Sequence, residues 1–213
     1  MYRFMSLAIL LVISILAAAC ADPTADKPKA TTGAATESGG SKPAGSETLN
    51  ISPDASKVEF VGAKVTMSHN GSFSKFSGTI DLVADKVENS RVSVDIDMSS
   101  VAADDEKLTS HLKSADFFDV AKFPKATFVS TEIKPGGEGS ATHTVTGNLE
   151  LHGVKKAITF PATIDVKGDT VAVKSEFAIN RKDFGILYPG APDNLIRDDV
   201  LIKLSINAPR ARG

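Results

Sequence analysis

The chain carries one cysteine, no tryptophan, two tyrosines and four histidines in 213 residues. A single cysteine, Cys20, excludes an internal disulfide, so stability has to come from burial and backbone pairing. His69, His111, His143 and His152 form no spaced pair of metal-ligand type with one another or with Cys20. No serine stands in a Gly-x-Ser-x-Gly elbow, and no glycine-rich loop joins a strand to a helix as phosphate binding requires. Asp104-Asp105-Glu106 lacks the spaced oxygen ligands of a calcium loop and reads instead as favourable charge at a helix start. The 24 basic residues face 26 acidic ones, a formal charge of −2, without the cationic excess that nucleic acid selects. These absences point away from an enzyme, and no catalytic residue, metal or cofactor is indicated.

What is there begins with an export pattern. Arg3, an apolar run from Met5 to Leu16 and Ala17-Ala18-Ala19-Cys20 read as a signal peptide over residues 1–19. The run is shorter than the roughly 20 residues of a spanning helix. Small residues before a lone cysteine resemble a bacterial lipobox, with Ala17 where leucine usually stands, and imply that Cys20 becomes the acylated N-terminus. Residues 20–50 then contain Pro23, Pro28, Pro43, Gly33, Gly39, Gly40 and Gly45, with Leu49 their only large aliphatic. Such a segment buries too little to offset its chain entropy and is expected to be a disordered tether, with a reach on the order of 30 Å. Together these place the protein in the bacterial cell envelope, and Ala21 after the cysteine favours the outer membrane, facing the periplasm.

Residues 51–213 are enough for one domain with its own core. Their pattern has a period of two. Val92, Val94, Ile96 and Met98 alternate with Arg91, Ser93, Asp95 and Asp97, which puts four apolar side chains on one strand face. The same alternation recurs over 145–151, 158–166, 171–179 and 200–206, and with Lys57–Met67, Phe73–Val83 and Lys125–Ile133 it predicts about eight antiparallel strands. Pro135-Gly136-Gly137, His152-Gly153 and Gly168-Asp169 supply turns. One short helix is predicted, capped by Asp104 or Asp105 and carrying Leu108 and Leu112 on one stripe. A helix this short cannot cover eight strands, so the sheet has to cover itself, as a sandwich or a barrel. Ala126, Gly147, Ala162 and Ser175 are small residues on the inward phase, which favours a cavity over a filled interior. His69, His143 and His152 are expected at the surface, and His111 is expected to bond a loop carbonyl and fix the helix.

His111–Pro124 joins this helix to a doubled phenylalanine and a Phe-Pro stop. With Phe73-Ser74-Lys75-Phe76-Ser77-Gly78, Phe128-Val129-Ser130-Thr131, Gly147–Lys156 and Asn180-Arg181-Lys182-Asp183-Phe184-Gly185-Ile186, it resembles the YceI-like family over residues 54–208. The resemblance implies an all-β, lipocalin-like antiparallel barrel with the helix near its mouth. It also implies a secreted protein that takes up a long apolar molecule: a polyisoprenoid, an isoprenoid quinone or a fatty-acyl compound. On strand phase, the expected lining is Phe60, Val94, Ile96, Phe128, Leu149, Phe160 and Phe177, with Phe117, Phe118 and Phe184 near the rim. The chain departs from the family pattern at Val61-Gly62-Ala63-Lys64-Val65, at Leu108-Thr109-Ser110 before His111, and in an inserted Leu187–Leu195, so the mouth is expected to differ. The competing reading is a solid-core envelope stress or structural protein acting through a protein partner or a homodimer.

Overall fold

The structure, a computed structural model, describes residues 22–36, 42–192 and 194–210. The signal peptide and Cys20 lie outside them. The strands are β1 (Thr31–Ala34), β2 (Glu47–Ile51), β3 (Lys57–Ala63), β4 (Ser68–Phe73), β5 (Phe76–Val83), β6 (Lys86–Asp97), β7 (Val101–Ala103), β8 (Lys125–Pro135), β9 (His143–Leu151), β10 (Val154–Lys167), β11 (Thr170–Asn180), β12 (Gly190–Ala191), β13 (Asn194–Leu195) and β14 (Asp199–Pro209). The helix α1 spans Glu106–Lys113.

The main sheet is antiparallel, in the order β2-β5-β6-β8-β9-β10-β11-β14-β3-β4-β7. It curls so that its apolar face lies inside, and every strand of seven residues or more corresponds to one that the alternation predicts. Two-residue turns reverse the chain where positive φ is available, at Ala84-Asp85 (φ 46° and 60°) and His152-Gly153 (φ 52° and 73°). Packing settles Gly153 as well as backbone: a Cβ there would stand 2.4 Å from Phe123. Asp105 caps α1 by accepting from Leu108 N at 2.7 Å, and Leu112 is its buried residue. Asp104 serves a different end, accepting from Asn70 N and bonding His69 Nδ1, both at 2.8 Å, and so ties the approach to α1 onto β4.

The segment expected to be a free tether is not one where the structure describes it. β10 pairs with β11 only over Thr163–Lys167. The two strands separate at Pro161, which has no N–H to donate to a ladder. Residues 28–36 fill the seam. On one side Ala30 N donates to Ala178 O at 2.9 Å and Ala178 N to Pro28 O at 2.8 Å. On the other, β1 pairs antiparallel with β10 from Thr31↔Thr159 to Ala34↔Lys156. The buried Asn148 amide closes the end, donating to Thr36 O at 2.7 Å and accepting from Thr36 N at 3.1 Å. Leu49, on β2, is also buried. The composition argument failed because it counted only what the segment could bury by itself, whereas here the sheet offers it two rows of unsatisfied backbone groups.

Asn148→Leu should therefore loosen the closing strand while leaving the barrel folded. We expect a loss of about 1–3 kcal/mol from the two hydrogen bonds. Amide exchange should speed up at residues 30–34 before it does elsewhere; unchanged protection there would show that the amide does not hold the segment.

Candidate functional site

Alternation along the long strands sends one side chain in two into the curl. Val94 and Ile96 on β6, Phe128 on β8, Leu149 on β9, Phe160 on β10, Phe177 on β11 and Phe60 on β3 all line one interior cavity of about 270 Å³. The cavity runs the length of the barrel, from Ile51, Ile80 and Ile206 at the far end to Leu112, Phe117, Phe118 and Ile196 at the mouth. Its far end is sealed by Leu49, Leu82, Val171 and Ala208, none more than 2% exposed. On β8 a register shift between Ser130 and Glu132 breaks the period of two, so Ile133 faces inward again after Ala126 and Phe128. Ser130 compensates by accepting from Val92 N at 2.8 Å.

Glycine makes room for two of the lining rings. Phe60 lies over Gly71, its cross-strand partner, and a Cβ there would stand 2.2 Å from the ring. Phe128 lies over Gly147, a diagonal neighbour on β9, where a Cβ would stand 2.4 Å from the ring. Deeper in, Phe160 and Phe177 stack with centroids 4.3 Å apart and planes 12° from parallel, so part of the interior is filled by paired rings. The mouth carries two further clusters. Phe60, Phe73 and Phe118 meet at centroid distances of 5.7–6.4 Å, and His111, Phe117 and Tyr188 at 4.9–5.4 Å.

Nine of the ten expected lining and rim residues surround this cavity. Phe184 does not. It is fully buried and packs in the core with Ala30, Ile158 and Ile179, beneath the closing strand. It sits on a 3₁₀ turn, Arg181–Phe184, where strand phase no longer predicts direction. His111 bonds the Asp116 carboxylate at 2.8 Å rather than a loop carbonyl. His152 is half-buried instead of at the surface: its Nδ1–H donates to Phe184 O at 3.2 Å and its ring meets Phe123.

Arg181 is the polar lining residue that strand reasoning missed. It is 4% exposed and, among the described residues, is the one charged side chain against an otherwise apolar cavity. Burial pulls its pKa below the usual arginine value, with Asp198 partly opposing this, yet a guanidinium stays charged. Its donors reach Ile186 O at 2.7 Å, Arg197 O at 3.1 Å and Asp198 at 3.3 Å. The guanidinium thus pins both ends of the 186–198 loop over the mouth, and this loop contains the β12–β13 hairpin. The signal was present in Asn180–Ile186, where an arginine stands directly after a strand of inward Phe177 and Ile179.

A curled antiparallel sheet around an apolar lumen, with one helix at its mouth, defines the lipocalin-type class of barrel. Within that class the chain belongs to the YceI-like domain family, whose model matches residues 49–208. Among curated relatives, a UPF0312 protein of Pseudomonas putida (strain W619) is 37% identical over 140 residues, 63% of this chain and 72% of the relative. A UPF0312 protein of Pseudomonas fluorescens (strain SBW25) is 36% identical over the same length. Among solved structures, Burkholderia cenocepacia BcnA matches with a TM-score of 0.66 and 28% identity, over 74% of this chain and 99% of its own. A polyisoprenoid binding domain from Saccharophagus degradans matches with a TM-score of 0.61 over 78% of this chain and 99% of its own, and at 17% identity it shows the shared fold.

Two outcomes follow at the mouth. Arg181→Lys keeps the charge but loses the planar fork. It should cost roughly 1.5–3 kcal/mol and raise amide exchange over 186–197; wild-type exchange in that loop would mean that the fork does not hold it. The hydrogen bonds from Asn70 N and His69 lower the Asp104 pKa, so its contribution to stability is present above the unfolded carboxylate value of about 3.9 and is lost as pH falls through the folded value. Asp104→Asn should flatten the acid limb of a stability-versus-pH curve, and an unchanged acid limb would place that dependence elsewhere.

Proposed function

We propose that the protein binds and carries a single long apolar molecule in its lumen while anchored to the cell envelope through an acylated Cys20. The observation that carries this reading is the cavity: a slot running the length of the barrel, lined by aliphatic and aromatic side chains, with Arg181 its one charged contact among the described residues and that guanidinium engaged by the loop. Its volume of about 270 Å³ lies close to the lower end of the roughly 300–1,000 Å³ of small-molecule sites. A slot of this small volume running the length of the barrel fits a flexible chain better than a fused-ring compound. The gain is burial, about 25 cal/mol for each Å² of apolar surface removed from water, so a few hundred Å² reach micromolar affinity after association costs. No covalent step is needed, and we read the protein as a binding protein rather than an enzyme.

The ligand classes that fit are a polyisoprenoid, an isoprenoid quinone or a fatty-acyl compound, and the polyisoprenoid binding of the Saccharophagus degradans domain supports the first of these. The lone cysteine after Ala17-Ala18-Ala19 supports acylation, and a periplasm-facing site on the outer membrane is the compartment we infer from Ala21.

Native mass spectrometry with solvent extraction tests the reading, on residues 21–213 exported and purified without detergent. We expect one apolar molecule per chain, and its absence from an Ala126→Phe variant, which puts a ring into the lumen. A protein that is empty and also refuses added quinone and polyprenol would refute carriage and leave the solid-core envelope protein acting through a protein partner.

A further inference from the structure

Among the described residues, the large apolar side chains left exposed are Val65, Met67, Leu187 and Leu195, between 46% and 62% exposed. They are far apart in sequence, yet they sit on two loops that hold one another. Val65 N donates to Leu195 O at 3.2 Å, Lys64 pairs with Ile196 across an antiparallel bridge, and Arg197 N donates to Ala63 O at 2.8 Å. Both loops belong to the mouth: Ile196 lines the lumen there, and Tyr188, next to Leu187, packs on Phe117. An apolar rim of this kind on a protein otherwise dressed in charge marks a surface with a partner.

The start of the described chain indicates which partner. Asp22 is fastened to Arg197 at 2.8 Å and borders the same surface depression as Val65 and Leu195. Behind it Lys27 is ion-paired with Glu176, Lys29 with Asp199 at 2.8 Å, and residues 28–36 are locked into the seam. The chain is therefore delivered to the rim by fixed contacts. Cys20 is two residues away, and two residues span at most about 7 Å. An acyl chain on Cys20 would enter a bilayer directly beside Val65 and Leu195.

We propose that this rim is a membrane-docking surface: residues 22–36 hold the barrel with its mouth against the bilayer in which Cys20 is anchored, and Val65, Met67, Leu187 and Leu195 enter its outer layer. The proposal rests on the acylation of Cys20 inferred above. It makes the N-terminal segment a short, rigid orienting strap in place of a spacer. An apolar molecule leaving the lumen through the mouth then passes into lipid without crossing water.

The test uses the full-length acylated protein in phosphatidylethanolamine–phosphatidylglycerol vesicles. Because acylation consumes the Cys20 thiol, an environment-sensitive fluorophore can be placed on Leu187→Cys, on Leu195→Cys, or on Gly168→Cys. Gly168 lies in the β10–β11 turn at the far end, where a side chain meets nothing. We expect at least a twofold rise in fluorescence, quenched by bilayer-embedded spin-labelled lipid, from both mouth probes and no change from the far-end probe. Vesicle-bound protein in which all three probes stay in water would overturn the docking while leaving the anchor intact. Mouth probes shielded without vesicles, in a concentration-dependent manner, would assign the rim to a second copy of the chain and overturn it too. A chain whose mass shows no acyl group, and which does not float with vesicles, would refute the anchor and the docking together.

Discussion

One constraint governs the molecule: among the described residues, a large apolar sheet face has a single eight-residue α-helix to cover it. Water has to be excluded from that face by the sheet itself, and curling is the available route. Once the sheet curls, alternation ceases to be a local property of strands and becomes a division of space, with one set of side chains surrounding a lumen and the other meeting solvent. A sheet in this position fills its interior with side chains or leaves room in it. Gly71 beneath Phe60 and Gly147 beneath Phe128 decide for room, because each removes the side chain that would otherwise hold the ring further into the lumen. The apolar cavity is thus a consequence of how the sheet satisfies its own burial, and its chemistry is that of the strands' inner faces.

The long strands were legible because period two is a strong signal when it persists for seven residues or more; five of the eight were assigned from it, and the other three were added as the segments between turns. Seven lining residues on the strands followed from phase, and Phe117 and Phe118 followed from their place just after the helix at the mouth. The same reasoning could not survive interruptions of phase. Phe184 stands on a 3₁₀ turn, outside any alternation, and lies under the closing strand rather than at the rim. Ile133 regains the inward face only because the β8 register shifts at Ser130. Arg181 was hidden for a different reason: a cation directly after a strand reads as solvent-facing unless the loop that wraps it is known, and that loop is defined by three-dimensional contacts with Ile186, Arg197 and Asp198.

The polar residues of the mouth were read with mixed success for a related reason. His111 ties the residues after α1 back to the helix, but through the carboxylate of Asp116, five residues on, and not through the loop carbonyl that was expected. His152 could not be placed from its neighbours in sequence, because its partners, Phe123 and Phe184, come from two distant segments. Composition misjudged residues 28–36 for the most general reason. Disorder rules ask whether a segment can bury enough of itself. They do not ask whether a sheet elsewhere in the chain has been left with vacant backbone groups. The vacancy opens where β10 and β11 part at Pro161, and the small, buried Ala30 fits into it.

That seam also changes what counts as the unit of folding. The family boundary falls at residues 49–208, but the hydrogen-bonded barrel includes strand residues 31–34. Cut at the family boundary, the domain would present the backbone groups of Lys156–Thr159 and Ala178 as a bare edge. Such edges template strand exchange between copies and, at high concentration, aggregation. In this chain the stretch next to the candidate anchor therefore acts as a built-in edge guard, and a protein released from its N-terminal segment would become sticky towards its own kind.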